Sequence, residues 1–379
     1  MSEQRWSDEF LEKMRQQCDP LADEAVGSLF HQGKVGTANA LMKQLVANEQ
    51  LLPAQLPPEL HWYFEQTGQL PPWVDRQLLR AGEELFCRYG PQAVVALLCA
   101  SLPSCYAAAK GVQVLHLTAR LETDPFRRIL ETSQMVIDVM APGGMEPGGA
   151  GLRSAQKVRL MHAAVRHLVR KSNHWNSEWG QPINQEDLAG TLLTFSTVVL
   201  QALKRMGCDF TPTEELGYHH AWRVVGFVLG IEDRMMPETP QENLVLKAAI
   251  ERRHFRASPE GEAMTHALID MTKHLMPGNV FDGMPSTLIR YLLGNDTARL
   301  LGVPPSDWSR VLMGPLRILG WVTDQELDLS PPVAQKLTSM LGRRVLDGMV
   351  WVNRGPERLP FRIPTVLRES WRVQGWERA

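Results

Sequence analysis

Apolar positions recur along this chain at the three-to-four-residue spacing of helices, and no segment shows the alternation of a strand. Residues 151–171, GLRSAQKVRLMHAAVRHLVRK, are the clearest case. At about 100° per residue, Val158, Met161, Val165, Leu168 and Val169 share one apolar stripe. Arg159, Arg166 and Arg170 form an adjacent basic stripe, and His162 stands at the seam. Gly151 and Ser154 offer a helix start, and nothing interrupts the run to Lys171.

Around it, residues 7–18 and 20–50 read as helical, the second stretch broken near Gly33–Gly36. The segment LLPAQLPPELHWYFEQTGQLPPWVD is too rich in proline for long helices and reads as a connecting arm. Its Trp62, Tyr63, Phe64 and Trp73 should pack it along the body. Residues 75–110 are helical again, with breaks at Gly90-Pro91 and Leu102-Pro103 and a buried run Ala93–Ala100. Asp124-Pro125 then starts a helix that is apolar on two sides except for Arg128, Glu131 and Thr132. Such a helix is buried and its polar groups need partners, either a structural ion pair or a pocket. The loop APGGMEPGGAG resets the chain before the His162 helix; it lacks the ending of a phosphate loop.

Asn184 caps a central helix over 185–206, in which Thr194 and Thr197 bond back to the backbone or face a cavity. Thr213 is the expected cap of the next helix, which Pro237 ends. On it, Gly226 and Gly230 lie four apart with Arg223, so that another helix or a flat cofactor can approach closely. His219 and His220 point about 100° apart and make a poor joint metal site. Residues 240–276 and the stretch from Pro285 are helical, and the remainder reads as short helices. The fold predicted is all-α, a single globin-reminiscent domain with extended ends. It comprises an arm over 1–69, a core over 70–300 and a helical extension over 301–379.

Composition narrows the function. A net charge of −2 on 379 residues argues against general nucleic-acid binding. No window of 18 uninterrupted apolar residues indicates a transmembrane segment. The charged start lacks the apolar core of a secretory signal, so a cytoplasmic location is expected. The five cysteines form no C-x-x-C pair, which fits reduced thiols and excludes covalent haem attachment. An imidazole between an apolar and a basic stripe suits a flat apolar ligand that carries carboxylates, and haem b has that shape. A lone His on an amphipathic helix is more commonly a half-buried surface residue, and spacing alone leaves both readings open.

Five motifs in order carry a resemblance: P-P-W-V-D (71–75), S-L-P-x-x-Y (101–106), R-x-x-E-T (128–132), R-x-x-H-x-x-x-R (159–166) and H-x-W-R-x-x-G-x-x-x-G (220–230). Together they resemble the rubber oxygenase (latex-clearing protein) superfamily, which includes the oxygenase of mycophenolic acid biosynthesis. The resemblance implies an oxygenase with one non-covalent haem b, acting with O2 on C=C bonds. It implies His162 as axial iron ligand and metal-binding residue, with Arg159, Arg166, Arg223 and Gly226 around the cofactor. Arg128, Glu131 and Thr132 become the catalytic residues over the distal face. Glu131 stands where the best-known members carry a Lys, and the family's catalytic glutamate has no clear counterpart. The expected partners are O2 and an apolar, unsaturated small molecule, with an electron donor only for monooxygenation. Two alternatives are a haem protein of another kind (peroxidase, gas sensor or carrier) and a cofactor-less interaction protein on the same scaffold.

Overall fold

The computed structural model describes residues 5–119, 125–274 and 283–305. The chain opens with α1 (Asp8–Arg15), α2 (Pro20–His31) and α3 (Val35–Met42), and α4 (Pro58–Gln66) lies within the proline-rich arm. Next come α5 (Arg76–Arg88) and α6 (Gly90–Ala96), which continues through a π turn (Leu97–Ser101) into α7 (Leu102–Ala107). After α8 (Val112–Ala119), α9 (Pro125–Met140) and α10 (Gly151–Lys171) comes α11 (Gln185–Leu193). A second π turn (Thr194–Val198) joins α11 to α12 (Val199–Arg205). The last described helices are α13 (Pro212–Val228), α14 (Pro240–His254), α15 (Pro259–His274), α16 (Met284–Leu293) and α17 (Asn295–Leu300). The all-α expectation holds: the described residues contain no strand, only an isolated bridge between Ala108 and Phe255. Residues 306–379, most of the expected C-terminal extension, lie outside the described residues, as does Asp124.

Four sequence expectations need correction, the first being that α13 ends at Val228, before Gly230, rather than at Pro237. Thr211, not Thr213, caps α13: its hydroxyl accepts from the Glu214 N–H (3.2 Å) and the Glu214 carboxylate accepts from the Thr211 N–H (2.7 Å). Pro212 then occupies a first-turn position where no N–H is needed. At Leu102-Pro103 the helix does not break but widens into the π turn. That turn relieves the clash a proline ring makes with the preceding turn of an α-helix. The stretch 240–276 is two helices, because Pro259 restarts the chain after Phe255.

α10 packs against α2, α9 and α13. Leu160, Ala163 and Ala164 turn toward the arm, where they share a buried cluster with Leu60, Tyr63 and Phe64 of α4. Tyr63 OH donates to the Gln156 carbonyl (2.7 Å), and Gln156 Nε2 donates to Thr67 Oγ1 (2.7 Å). Asn48 ties the Gly/Pro loop to the helix that follows it. Its Nδ2 donates to the Gly144 carbonyl (3.0 Å) and its Oδ1 accepts from the first-turn Arg153 N–H (3.1 Å).

α5 and α13 are in closest backbone contact where two glycines meet. A Cβ on Gly82 would stand 2.5 Å from the Gly217 carbonyl oxygen and 2.7 Å from its carbon. Backbone cannot yield as a side-chain tip can, so Gly82→Ala should destabilise the fold by about 1–3 kcal/mol, read by urea unfolding.

The run Gly90–Ala107 is long and apolar enough to cross a membrane by composition, yet 67% of it is buried inside the protein. Packing within the core accounts for its hydrophobicity, with Val95, Ala96, Leu98 and Cys99 all in the central cluster.

Candidate active site

α10 presents Val158, Met161, His162 and Val165 to a cavity of about 260 Å³. These residues fall on one face by the i, i+3, i+4, i+7 rule. α9, which packs along α10, adds Glu131, Thr132 and Met135. The two π turns and their continuations close another side through Leu102, Cys105, Thr194, Phe195 and Val198. They are joined to each other, since Ser101 Oγ donates to Thr194 Oγ1 (3.1 Å). Thr194 both bonds back to the Thr191 carbonyl (2.8 Å) and faces the cavity, combining the two alternatives its sequence position allowed. Trp222, stacked on Phe195 at 5.2 Å, completes an apolar surround.

Three of the expected residues, His162, Glu131 and Thr132, therefore share one cavity. His162 is half-buried and Glu131 is buried. Arg128 belongs to the same helix as Glu131, but its side chain lies outside the described part of the structure.

The remaining four do not line the cavity, and each has a partner within the fold. Arg159 donates through Nε to Asp19 (2.6 Å) and through Nη1 to the Val228 carbonyl (3.2 Å). Its guanidinium lies over Gly230, where φ is +82° and a Cβ would meet Arg159 Nε at 2.5 Å. Arg166, 1% exposed, donates to Asp23 (2.6 Å), and Arg170 reaches the same carboxylate at 3.5 Å. The basic stripe of α10 thus meets the acidic start of α2. Arg223 pairs with Glu238 (3.0 Å) and covers the Trp73 ring at 4.2 Å. Gly226 makes room for Leu192, whose Cδ2 would be 2.7 Å from an added Cβ, so a helix rather than a flat ligand fills the space.

A second group of polar residues in the cavity wall was not singled out from the sequence. α11 contributes Glu186 and Asp187, and α14 contributes Lys247, Glu251 and His254. Glu186 is fully buried. Burial pushes its carboxyl up, but His254, Arg253 and Arg15 outweigh that and hold it below the usual carboxylate range. In the sequence, Arg252, Arg253 and His254 look like an ordinary basic helix end. Only the fold brings Glu186 against them.

Three other histidines, His167, His219 and His220, are held by contacts within the fold. His167 stacks on Phe30 at 4.5 Å, and His220 Nε2 accepts from the Asp75 N–H (2.9 Å). His219 is 6% exposed, its Nδ1 3.3 Å from Asn243 Nδ2, and burial pushes its pKa down to about 4. An unfolded His titrates near 6.5. Between those values the unfolded chain takes up a proton that the folded chain refuses. Stability should therefore fall as pH drops from about 6.5 to 4, by as much as about 3 kcal/mol. Denaturant unfolding at pH 8 and pH 5 checks this: His219→Leu should lose less stability between the two than the wild type.

An all-α fold whose largely apolar cavity gathers an imidazole, a buried carboxylate and a threonine is the setting of a helical enzyme's active site. Residues 87–324 match the family described as ER-bound oxygenase mpaB/B'/Rubber oxygenase, catalytic domain, and the chain belongs to that family. It is an oxygenase. The chain is 29% identical over 290 residues to the rubber oxygenase of Streptomyces sp. (strain K30), covering 75% of this chain and 70% of that one. Its fold matches the structure of latex clearing protein LCP in the closed state with a TM-score of 0.75. That match covers 92% of this chain and 94% of the other at 24% identity.

Proposed function

We propose that the protein is a haem b-dependent oxygenase of an unsaturated, apolar substrate, working inside the cell. The observation that carries this reading is His162, an imidazole in the wall of an apolar cavity. The donor set fits haem. Among the described residues no three His, Cys, Asp or Glu side chains gather to hold an ion by themselves. A metal at His162 would then bring its other ligands with it, as a macrocycle does. Bound haem would supply the iron at which O2 is activated for attack on a C=C bond.

The chain's own residues do the rest. His162 would hold the iron from one side. Lys247, in the cavity wall and paired with Glu251 at 2.7 Å, would be the cation nearest the propionates, whereas Arg159 and Arg166 pair with aspartates at the start of α2. Glu131 would take and return a proton of the substrate, and Thr132 would donate a hydrogen bond beside it. Arg128, on the same helix, would act as a further donor. Val158, Met135, Phe195 and Trp222 exclude water and bind the hydrocarbon part. Cleavage that retains both oxygen atoms needs no external electrons, so an electron donor enters only for monooxygenation. The free state of all five cysteines supports a reducing compartment.

The purified protein should show a Soret band and about one haem b per chain, extractable by acid and organic solvent. With an isoprenoid alkene it should consume O2 without added reductant and form carbonyl products. A chain that takes up no haem after reconstitution with hemin overturns the reading.

A further inference from the structure

α11 and α13 meet where Leu192 packs on Gly226, and about one turn further along each segment the Phe195 and Trp222 rings stack, 5.2 Å apart and inclined by 27°. Both rings line the cavity, on the side that the π turns close. α10, which carries His162, is bonded to the far end of α13, where Arg159 Nη1 donates to the Val228 carbonyl (3.2 Å). Trp222 lies on the same helix, about 9 Å before that carbonyl. The stack therefore closes the apolar part of the cavity at the end remote from this attachment of α10.

The ring of Phe195 is fixed in place. Phe195 is 7% exposed, and Trp222 behind it is 1% exposed. The Phe195 main chain lies inside the π turn, and its carbonyl accepts from the buried Tyr218 hydroxyl (3.1 Å). Leu192 and Val198, on either side of it in the chain, belong to the same central cluster. Interiors are close-packed, so a ring held in this way cannot turn aside without displacing its neighbours. A linear hydrocarbon gains affinity with each carbon it buries, and gains nothing from carbons that such a wall leaves in water.

We propose that Phe195, backed by Trp222, is a specificity-determining residue that sets the length of substrate the cavity accepts. The substrate class that follows is a linear alkene of limited length, bound with one end against the Phe195 ring, rather than an internal stretch of a long polymer. The inference rests on the oxygenase reading for the alkene and on the cavity alone for the limit on its length.

Calorimetry on the purified holoprotein tests it with linear isoprenoid hydrocarbons that lengthen by one unit at a time, from two units to six. In the wild type, affinity should rise about tenfold or more with each unit that fits and then stop rising. Phe195→Ala removes a ring close in size to one isoprene unit, so the break should move one unit longer. Phe195→Leu, a milder change for the fold, should raise the affinity of the first excluded probe severalfold and leave the shorter ones as they were. An unbroken rise through the whole series in the wild type overturns the stop whether or not a variant folds. So does a break that stays in place, with no gain for the excluded probe, in Phe195→Leu. O2 uptake separates this from the broader reading. Uptake that is the same for every length, with no break in binding, defeats the stop alone. A break that moves with residue 195 while no probe consumes O2 leaves the stop standing and defeats the oxygenase reading.

Discussion

His162→Ala should fold and yet lose its haem, with affinity reduced more than about 100-fold, because outer partners of a metal ligand alone are worth 10–100-fold. The residue is half-buried in a cavity wall, so truncation enlarges a space that already exists and leaves the helix intact. Arg159→Ala and Arg166→Ala should behave in the opposite way. Each removes a buried ion pair to α2 and should cost about 3 kcal/mol of stability while haem content stays near that of the wild type. Haem content by pyridine haemochromogen, set beside thermal unfolding for the three variants, makes the comparison. Full haem in His162→Ala would place the ligand elsewhere, and His254 would be the next imidazole in the same cavity.

Arg15→Ala should be the most destabilising single change near the site, by about 3–5 kcal/mol. Arg15 is fully buried, donates to Asp187 at 2.9 Å and Glu186 at 3.4 Å, and also donates to the Trp179 carbonyl. Burial lowers its pKa, but the two carboxylates outweigh that and raise it, so it stays charged throughout the accessible pH range. Removing it takes the shared cation from two acidic groups in the cavity wall, leaving Glu186 to Arg253 and His254 and Asp187 to Asn184. The unfolding midpoint should drop by about 5–10 °C. A drop below 2 °C would show that water replaces the guanidinium and that the N-terminal helix is dispensable. Arg15→Lys should recover only part of the loss, since one ammonium cannot span both carboxylates and a carbonyl as the fork does.

The helical architecture was legible because each long helix buries one face, and burial imposes a 3.6-residue period that survives in the sequence. α10 is the clearest instance: its cavity face and its arm face are separated by the same spacing that marks them out. Asn184 capped its helix as expected, for a cap depends on residues three apart. Local rules failed where a proline had two ways of being accommodated, at Leu102-Pro103 and at Thr211-Pro212.

The all-α class, the His162 helix and the polar set on α9 were legible in the chain because all of them are periodic or local. The tertiary structure alone decided what the arginines do. A guanidinium on a helix surface serves a propionate or an aspartate equally well, and which it meets depends on a partner more than a hundred residues away. Arg159 meets Asp19 over Gly230, and Arg166 meets Asp23, because α2 lies along α10. His254 was invisible for the same reason: its environment is Glu186 and Arg15, from α11 and α1, and no spacing along one helix encodes a contact among three.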